Sequence, residues 1–126
     1  MGNDEAGRLL GLHHVQLAMP PGEEQAAIDF YAGVLGLEHV AKPPELADRG
    51  GAWFRSGELE VHLGVEEGFQ PALKAHPAFL VEDLERMRAR VEMSGFRVIE
   101  SEQFSGFHRV HVRDPFGNRL ELIEPV

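Results

Sequence analysis

The sequence predicts an α+β fold in which two halves repeat the order strand, helix, strand, strand, strand. Apolar and polar residues alternate in several short segments, which is typical of strands with one buried face. Two longer segments, residues 23–35 and 83–93, carry apolar residues at helical spacing. A glycine soon follows each helix, Gly36 in the first half and Gly95 in the second, and glycine is a common helix stop.

The opening strand of the first half, residues 12–19, sets the pattern for the other strands. Successive side chains of a strand point to opposite faces. We therefore expect Val15, Leu17 and Met19 to face a helix and His14 to lie on the opposite face. The further strands of this half are predicted at residues 37–41, 52–55 and 58–63.

The second half begins with a strand that contains Pro77, which lacks a backbone N–H and so belongs at a sheet edge or a strand start. A turn over residues 114–118, rich in turn-forming residues, joins the last two strands. The repeat depends on pattern, since the halves share little sequence identity. The strands of this half are predicted at residues 76–81, 96–99, 107–113 and 119–123.

The ranges of the predicted helices and strands divide the chain into four parts. We expect an N-terminal tail of residues 1–10, a first βαβββ module of residues 11–66, a connection of residues 67–75 and a second βαβββ module of residues 76–126. The two modules together make one domain, because 126 residues suffice for one sizeable core but not for two.

Composition narrows the class of partner. The net charge is −9, so nucleic acid and anionic membranes are not expected as partners. The chain has no cysteine, which excludes disulfides, thiolate metal sites and cysteine nucleophiles. No apolar run approaches the length of a membrane span. Because the polar N-terminus also lacks a signal-peptide pattern, we expect a cytoplasmic protein. We expect its substrate to be a small molecule.

Four polar residues lie on strand faces opposite the main apolar side chains, and they are the candidate metal ligands: His14, His62, His76 and Glu121. If the two half-sheets curl together with the helices outside, all four point into one cleft. Imidazole nitrogens together with a carboxylate suit a divalent ion such as Zn, Ni, Fe, Co or Mn. By the same alternation, His13 belongs to the helix-facing side and is not expected to bind metal.

Further residues on the cleft-facing sides are candidates for substrate binding. Aromatic side chains would form an apolar wall, an arginine would bind an anionic group such as a carboxylate, and a histidine would contact either substrate or a metal ligand. These residues are Trp53, Arg55, Phe107, Arg109 and His111.

Three segments resemble the vicinal oxygen chelate superfamily, which includes glyoxalase I, bleomycin resistance proteins and extradiol dioxygenases. They are GLHHVQL at residues 11–17, IDFY with LGL at residues 28–37, and DPFGNRLEL at residues 114–122. The last is the most specific, since it is a turn leading into a glutamate-bearing strand. The resemblance implies two βαβββ modules that form a half-open, cupped mixed β-sheet around a metal.

The resemblance also assigns roles. His14, His76 and Glu121 match the His-His-Glu ligand set of the superfamily. His62 stands where glyoxalase I and epimerases have Glu or Gln, so it is a fourth ligand, a displaceable base, or neither. A base is needed if the reaction moves a proton next to a carbonyl, and Glu121 and His62 are the candidates.

The expected function is therefore that of a glyoxalase-like, metal-dependent lyase or isomerase acting on a small oxygen-chelating substrate. An iron-dependent ring-cleaving dioxygenase and a thiol transferase are alternatives. A metal-free, bleomycin-type drug-binding protein is a further alternative, although it predicts lost ligands. A homodimer is expected, and the sequence does not decide whether each site lies within one chain or is shared by two.

Overall fold

A computed structural model describes residues 6–126, so residues 1–5 of the predicted N-terminal tail lie outside the described residues. The described chain forms two four-stranded mixed sheets, both open. This confirms the predicted α+β fold of two βαβββ modules. None of the helices within residues 6–126 combines the length and apolar character that a membrane crossing requires.

The first helix is less regular than the sequence pattern predicts. It begins as an α-helix and continues as a π-helical segment, Asp29–Val34, in which Leu35 N donates to Phe30 O at 2.9 Å. A 3₁₀ helix, Pro44–Arg49, lies between the predicted strands 37–41 and 52–55, where the sequence pattern predicts neither helix nor strand. The elements of the first module are β1 (Val15–Met19), α1 (Glu24–Ile28), β2 (Glu38–Val40), β3 (Ala52–Ser56) and β4 (Leu59–Val65).

The second module repeats this order. Its helix begins just after Asp83, whose carboxylate accepts a hydrogen bond from Arg86 N and caps the helix. Its first strand is an edge strand preceded by Pro77, as predicted. The elements are β5 (Ala78–Leu80), α2 (Leu84–Met93), β6 (Val98–Glu100), β7 (Phe107–Arg113) and β8 (Arg119–Pro125).

The two sheets have the same topology, with orders β1-β4-β3-β2 and β5-β8-β7-β6. In each, the first and last strands pair in parallel, and the register places Gln16 beside His62 and Ala78 beside Glu121. His14 and His76 each lie two residues before those register partners. The modules therefore hold their candidate ligands at equivalent positions.

Helices and sheets share one apolar core. Aromatic rings from the first helix meet residues of both modules: the Phe30 ring packs edge-on against Phe96 at 4.7 Å, and Tyr31 lies 5.4 Å from Phe54. Burial of these rings contributes to the hydrophobic stabilisation of the domain. The largest fully buried side chains are Tyr31, Phe30, Phe54, Met19, Leu63, Leu120, Leu122, Val61, Val91 and Val112.

Candidate metal centre

Three side chains of the second module converge: His76, His111 and Glu121. His76 Nε2 lies 2.9 Å from Glu121 Oε1. His111 Nε2 lies 3.4 Å from His76 Nε2 and 3.6 Å from Glu121 Oε1. We call these three residues the His-His-Glu cluster.

The backbone explains why these side chains meet. β7 and β8 form a hairpin in which His111 lies directly opposite Glu121, so both side chains stand on the same face. β5 lies on the other side of β8, and Glu121 N donates to Pro77 O at 3.0 Å. That bond fixes the start of the strand next to Glu121 and brings His76 to it.

The separations within the His-His-Glu cluster fit a divalent ion. A first-row metal binds nitrogen and oxygen ligands at about 2.0–2.2 Å, which sets neighbouring ligand atoms roughly 3.0–3.6 Å apart in tetrahedral or octahedral geometry. The observed separations of 2.9, 3.4 and 3.6 Å are close to that range. The three side chains can therefore hold such an ion with little rearrangement.

The outer nitrogens of both histidines are already engaged. His76 Nδ1 lies 2.8 Å from Lys74 O. A carbonyl only accepts, so His76 Nδ1 carries a proton, and Nε2 is the nitrogen that faces the Glu121 carboxylate. Ser101 Oγ bonds His111 Nδ1, which leaves His111 Nε2 facing the cluster. Such outer contacts orient histidine ligands in metal sites.

Electrostatics favour the protonation states that a metal requires in two members of the cluster, Glu121 and His111. Burial alone would raise the pKa of Glu121, but hydrogen bonds from His76 and Arg109 outweigh it and the pKa is lowered. Burial, assisted by the charge of Arg119, lowers the pKa of His111. The Glu121 carboxylate is therefore ionised and the His111 imidazole is neutral near pH 7.

The predicted ligands of the first module form a separate group. The imidazole of His62 is stacked between the indole of Trp53, at 3.7 Å and 2°, and the ring of His14, at 4.1 Å and 21°. Burial lowers the pKa of His62, against a raising contribution from Glu60, whose Oε1 lies 3.4 Å from His62 Nε2. We call Trp53, His62 and His14 the ring stack.

The two groups are not joined directly. Within residues 6–126, no hydrogen bond or ion pair connects His14 or His62 to the His-His-Glu cluster. Of the four predicted ligands, the structure brings together His76 with Glu121 and, separately, His14 with His62.

The predicted orientation of His13 was wrong, whereas its exclusion from the metal ligands stays a prediction. β1 begins at Val15, so strand alternation does not apply to the two histidines before it. His13 is exposed instead of facing a helix, and its Nδ1 lies 2.9 Å from Nδ1 of His14.

The predicted substrate-binding residues are distributed unevenly. Trp53 belongs to the ring stack, and Arg109 donates to Glu121 Oε2 at 3.3 Å beside the cluster. Arg55 is exposed near the end of β3, and its side chain makes no hydrogen bond or ion pair with other described residues. Phe107 is half-buried with its ring 5.4 Å from that of Phe104.

His111 lies closer to the candidate centre than its sequence pattern indicates. Strand alternation assigns it to the cleft face and predicts a substrate contact, whereas the structure makes it the third member of the His-His-Glu cluster. The hairpin register is the feature of the sequence that identifies His111 as a member of the cluster. A five-residue turn over 114–118 pairs Arg113 with Arg119 and therefore His111 with Glu121.

Comparisons with known proteins agree with this architecture. A family model described as the Glyoxalase/Bleomycin resistance protein/Dioxygenase superfamily matches residues 11–122, and the chain belongs to that superfamily. No curated protein matches the chain.

Solved structures show the same fold over nearly the whole chain. A glyoxalase family protein from Bacillus anthracis is 42% identical, with a TM-score of 0.91 over 95% of this chain and 98% of that one. A glyoxalase/dioxygenase from Nostoc punctiforme is 20% identical, with a TM-score of 0.78 over 96% and 94%. The fosfomycin resistance protein FosX from Listeria monocytogenes is 15% identical, with a TM-score of 0.70 over 94% of each chain.

Proposed function

We propose that the protein is a metal-dependent, glyoxalase-like lyase or isomerase that acts on a small substrate with two adjacent oxygen atoms. The observation that carries the proposal is the convergence of His76 Nε2, His111 Nε2 and Glu121 Oε1, which lie 2.9, 3.4 and 3.6 Å from one another and are donor atoms that a divalent ion binds. His76 and Glu121 are also ligands that the family resemblance implies.

The protein would hold the ion with His76, His111 and Glu121, the described residues that converge with the right donor atoms. A divalent ion bound there would supply Lewis-acid stabilisation of the negative charge that develops on substrate oxygens. Arg109 holds the second oxygen of Glu121 at 3.3 Å and fixes the orientation of the carboxylate.

The ring stack supplies the remaining groups of the proposed site. Trp53 offers an apolar wall and fixes the plane of the His62 imidazole at 3.7 Å. The contact of His62 Nε2 with the Glu60 carboxylate, at 3.4 Å, favours a proton on Nε2, which leaves Nδ1 as the nitrogen that accepts a proton from carbon next to a carbonyl. His62 is therefore the proposed base, and Glu121 the alternative if its hold on the ion loosens.

We also propose a homodimer in which the ring stack of one copy completes the centre of the other. The two predicted ligand pairs do not meet within residues 6–126. The segment before His14 exposes large apolar side chains that a second copy can cover. These are Leu9, Leu10 and Leu12, which are 98%, 89% and 82% exposed.

Metal analysis tests the enzyme proposal. We expect the purified protein to bind about one divalent ion per chain, and His76→Ala and Glu121→Ala to lose at least tenfold in metal affinity. His108→Ala is the matched control, since His108 lies on β7 beside His111 but is exposed. Equal metal content in His76→Ala, Glu121→Ala and the control would contradict the proposal.

A mixing experiment tests the shared site. A double variant lacking His14 and His62 and another lacking His76 and Glu121 are each expected to be inactive. Subunit exchange should restore activity at about a quarter of the sites, because half of the random dimers are mixed and each mixed dimer has one intact site. No recovery after verified exchange would place the site within one chain.

One observation favours a second function. Two histidines and one carboxylate are also the donor set of iron-dependent oxygenases. A ring-cleaving dioxygenase therefore remains the alternative proposal. Bound iron with substrate-dependent oxygen consumption would support it, whereas zinc or nickel in the active protein would support the lyase or isomerase.

A further inference from the structure

Two arginines face each other beside the His-His-Glu cluster. Arg113 on β7 and Arg119 on β8 are directly opposite in the strand register. On the same face of the hairpin, the next opposed pair of residues along the two strands is His111 and Glu121. Like charges directly opposite on a sheet are destabilising. The fold therefore keeps an unfavourable pair at this position.

Neither arginine is neutralised by an acid. Arg113 donates to Gly117 O at 2.9 Å, and an Arg119 nitrogen lies 3.4 Å from His111 Nε2. Within residues 6–126 no carboxylate oxygen comes within 4 Å of either guanidinium. By contrast, Arg109 and Arg88 do pair with acids, Glu121 and Glu100.

The charge balance makes this pair unusual for the chain. With 21 acidic and 12 basic residues, acidic partners are abundant in the sequence. Two facing cations without an acid nearby are thus not explained by a shortage of carboxylates. They form a local positive field on a protein of net charge −9.

Both arginines also line an open cavity that reaches the His-His-Glu cluster. Its walls include His76 and His111 of the cluster together with Arg113, Arg119 and Lys74. A ligand in this cavity can touch the arginines and the cluster at once. Guanidinium groups bind carboxylate and phosphate oxygens through paired N–H donors, which gives geometry as well as charge.

We propose that Arg113 and Arg119 form an oxyanion-binding subsite for a carboxylate or phosphate-type group of the substrate. An anion bound there relieves the repulsion between the two guanidinium groups while the reacting oxygens lie at the cluster. That the anion belongs to the substrate rests on the proposed function. The binding of an anion by the arginine pair does not depend on the proposed function.

Calorimetric titration of the purified protein with inorganic phosphate, and separately with acetate, tests the subsite. We expect Arg119→Gln and Arg113→Gln each to weaken binding of at least one of the two anions about tenfold or more. Arg119→Lys keeps the charge but loses the paired donors, so it should weaken binding as well. Arg86→Gln is the control, because it removes the same charge from the exposed outer face of α2.

Stability provides an independent readout. Removal of one of two facing cations should leave the unfolding midpoint unchanged or raise it, so a loss of anion binding in Arg119→Gln does not reflect unfolding. The proposal is overturned if a variant with both Arg113→Gln and Arg119→Gln binds both anions within twofold of the unsubstituted protein, or if the unsubstituted protein binds neither at millimolar concentration. Metal content reports separately on the enzyme proposal, since neither arginine belongs to the cluster.

Discussion

The hydroxyl of Tyr31 donates a 2.7 Å hydrogen bond to Asp114 Oδ2, joining the first helix to the β7–β8 turn of the other module. Asp114 Oδ1 also accepts from the backbone N–H groups of Phe116 and Asn118. Asn118 Nδ2 donates to Asp114 Oδ2 and to Ala18 O on β1. The DPFGN turn is thus a polar connection between modules, and it sets the hairpin that carries His111 and Glu121.

Tyr31→Phe should therefore lower stability without changing the fold. The ring keeps its contacts with Phe30 and Phe54, while Asp114 loses one buried donor. Loss of a buried hydrogen bond to a charged acceptor costs about 1–3 kcal/mol. Urea unfolding measures the change. Ser94→Ala removes an exposed hydroxyl from the end of α2 and should cost about 0.5 kcal/mol or less, so equal losses in both variants would refute the role of Tyr31.

The same tyrosine predicts a response to alkaline pH. Burial, together with the nearby charge of Asp114, raises the pKa of Tyr31 well above its ordinary value of 10.0. The unfolded chain therefore loses this proton first. The stabilising contribution of Tyr31 is complete below pH 10 and is lost as the pH rises toward its folded pKa, at up to about 1.4 kcal/mol per pH unit.

Unfolding free energies at pH 8 to 11 test this response. The stability difference between the unsubstituted protein and Tyr31→Phe should be constant below pH 10 and shrink above it. A difference that stays flat to pH 11 would mean that Tyr31 ionises equally easily in both states.

Two glycines with positive φ should respond differently to alanine. Gly51 has φ 83°, and a Cβ there would overlap the carbonyl oxygen of Leu63 on the adjacent strand. Gly57 has φ 59° and open space around it. Gly51→Ala should cost about 3 kcal/mol or more, and Gly57→Ala about 1 kcal/mol. Thermal unfolding of both variants measures the difference, and similar losses would show that the overlap is relieved by backbone movement.

Metal binding should stabilise the folded protein. An ion that binds only the folded chain raises its stability by about 2.7 kcal/mol at one hundred times the dissociation constant. Zinc should therefore raise the unfolding midpoint, a chelator should reverse the rise, and His76→Ala should abolish it. If His76→Ala responds as fully as His108→Ala, the ion binds elsewhere.

Much of the fold could be predicted because local patterns determine it. Alternation locates β7 at residues 107–113 and gives the order of elements in both halves. Apolar spacing does not predict that the first helix becomes π-helical after Ile28, since it does not distinguish an i→i+4 from an i→i+5 hydrogen-bond pattern. Nor does it predict the 3₁₀ helix Pro44–Arg49, where no apolar period is present.

The candidate site was predicted in part, for a physical reason. Alternation gives the face of a side chain but not its neighbour on the next strand, so His111 was predicted to contact substrate or a metal ligand and not to belong to the cluster itself. It also fails outside regular strands, which is why His13 was assigned to the wrong side. The distance between the ring stack and the cluster depends on how the two sheets are arranged, which no pattern within one strand encodes.

Diffraction from a metal-loaded crystal, recorded at the absorption edge of the bound ion, tests the central claim most directly. The account predicts an anomalous peak about 2.0–2.3 Å from His76 Nε2, His111 Nε2 and a Glu121 carboxylate oxygen. A peak bound by His14 and His62 alone, or full metal occupancy with none at the His-His-Glu cluster, would contradict it.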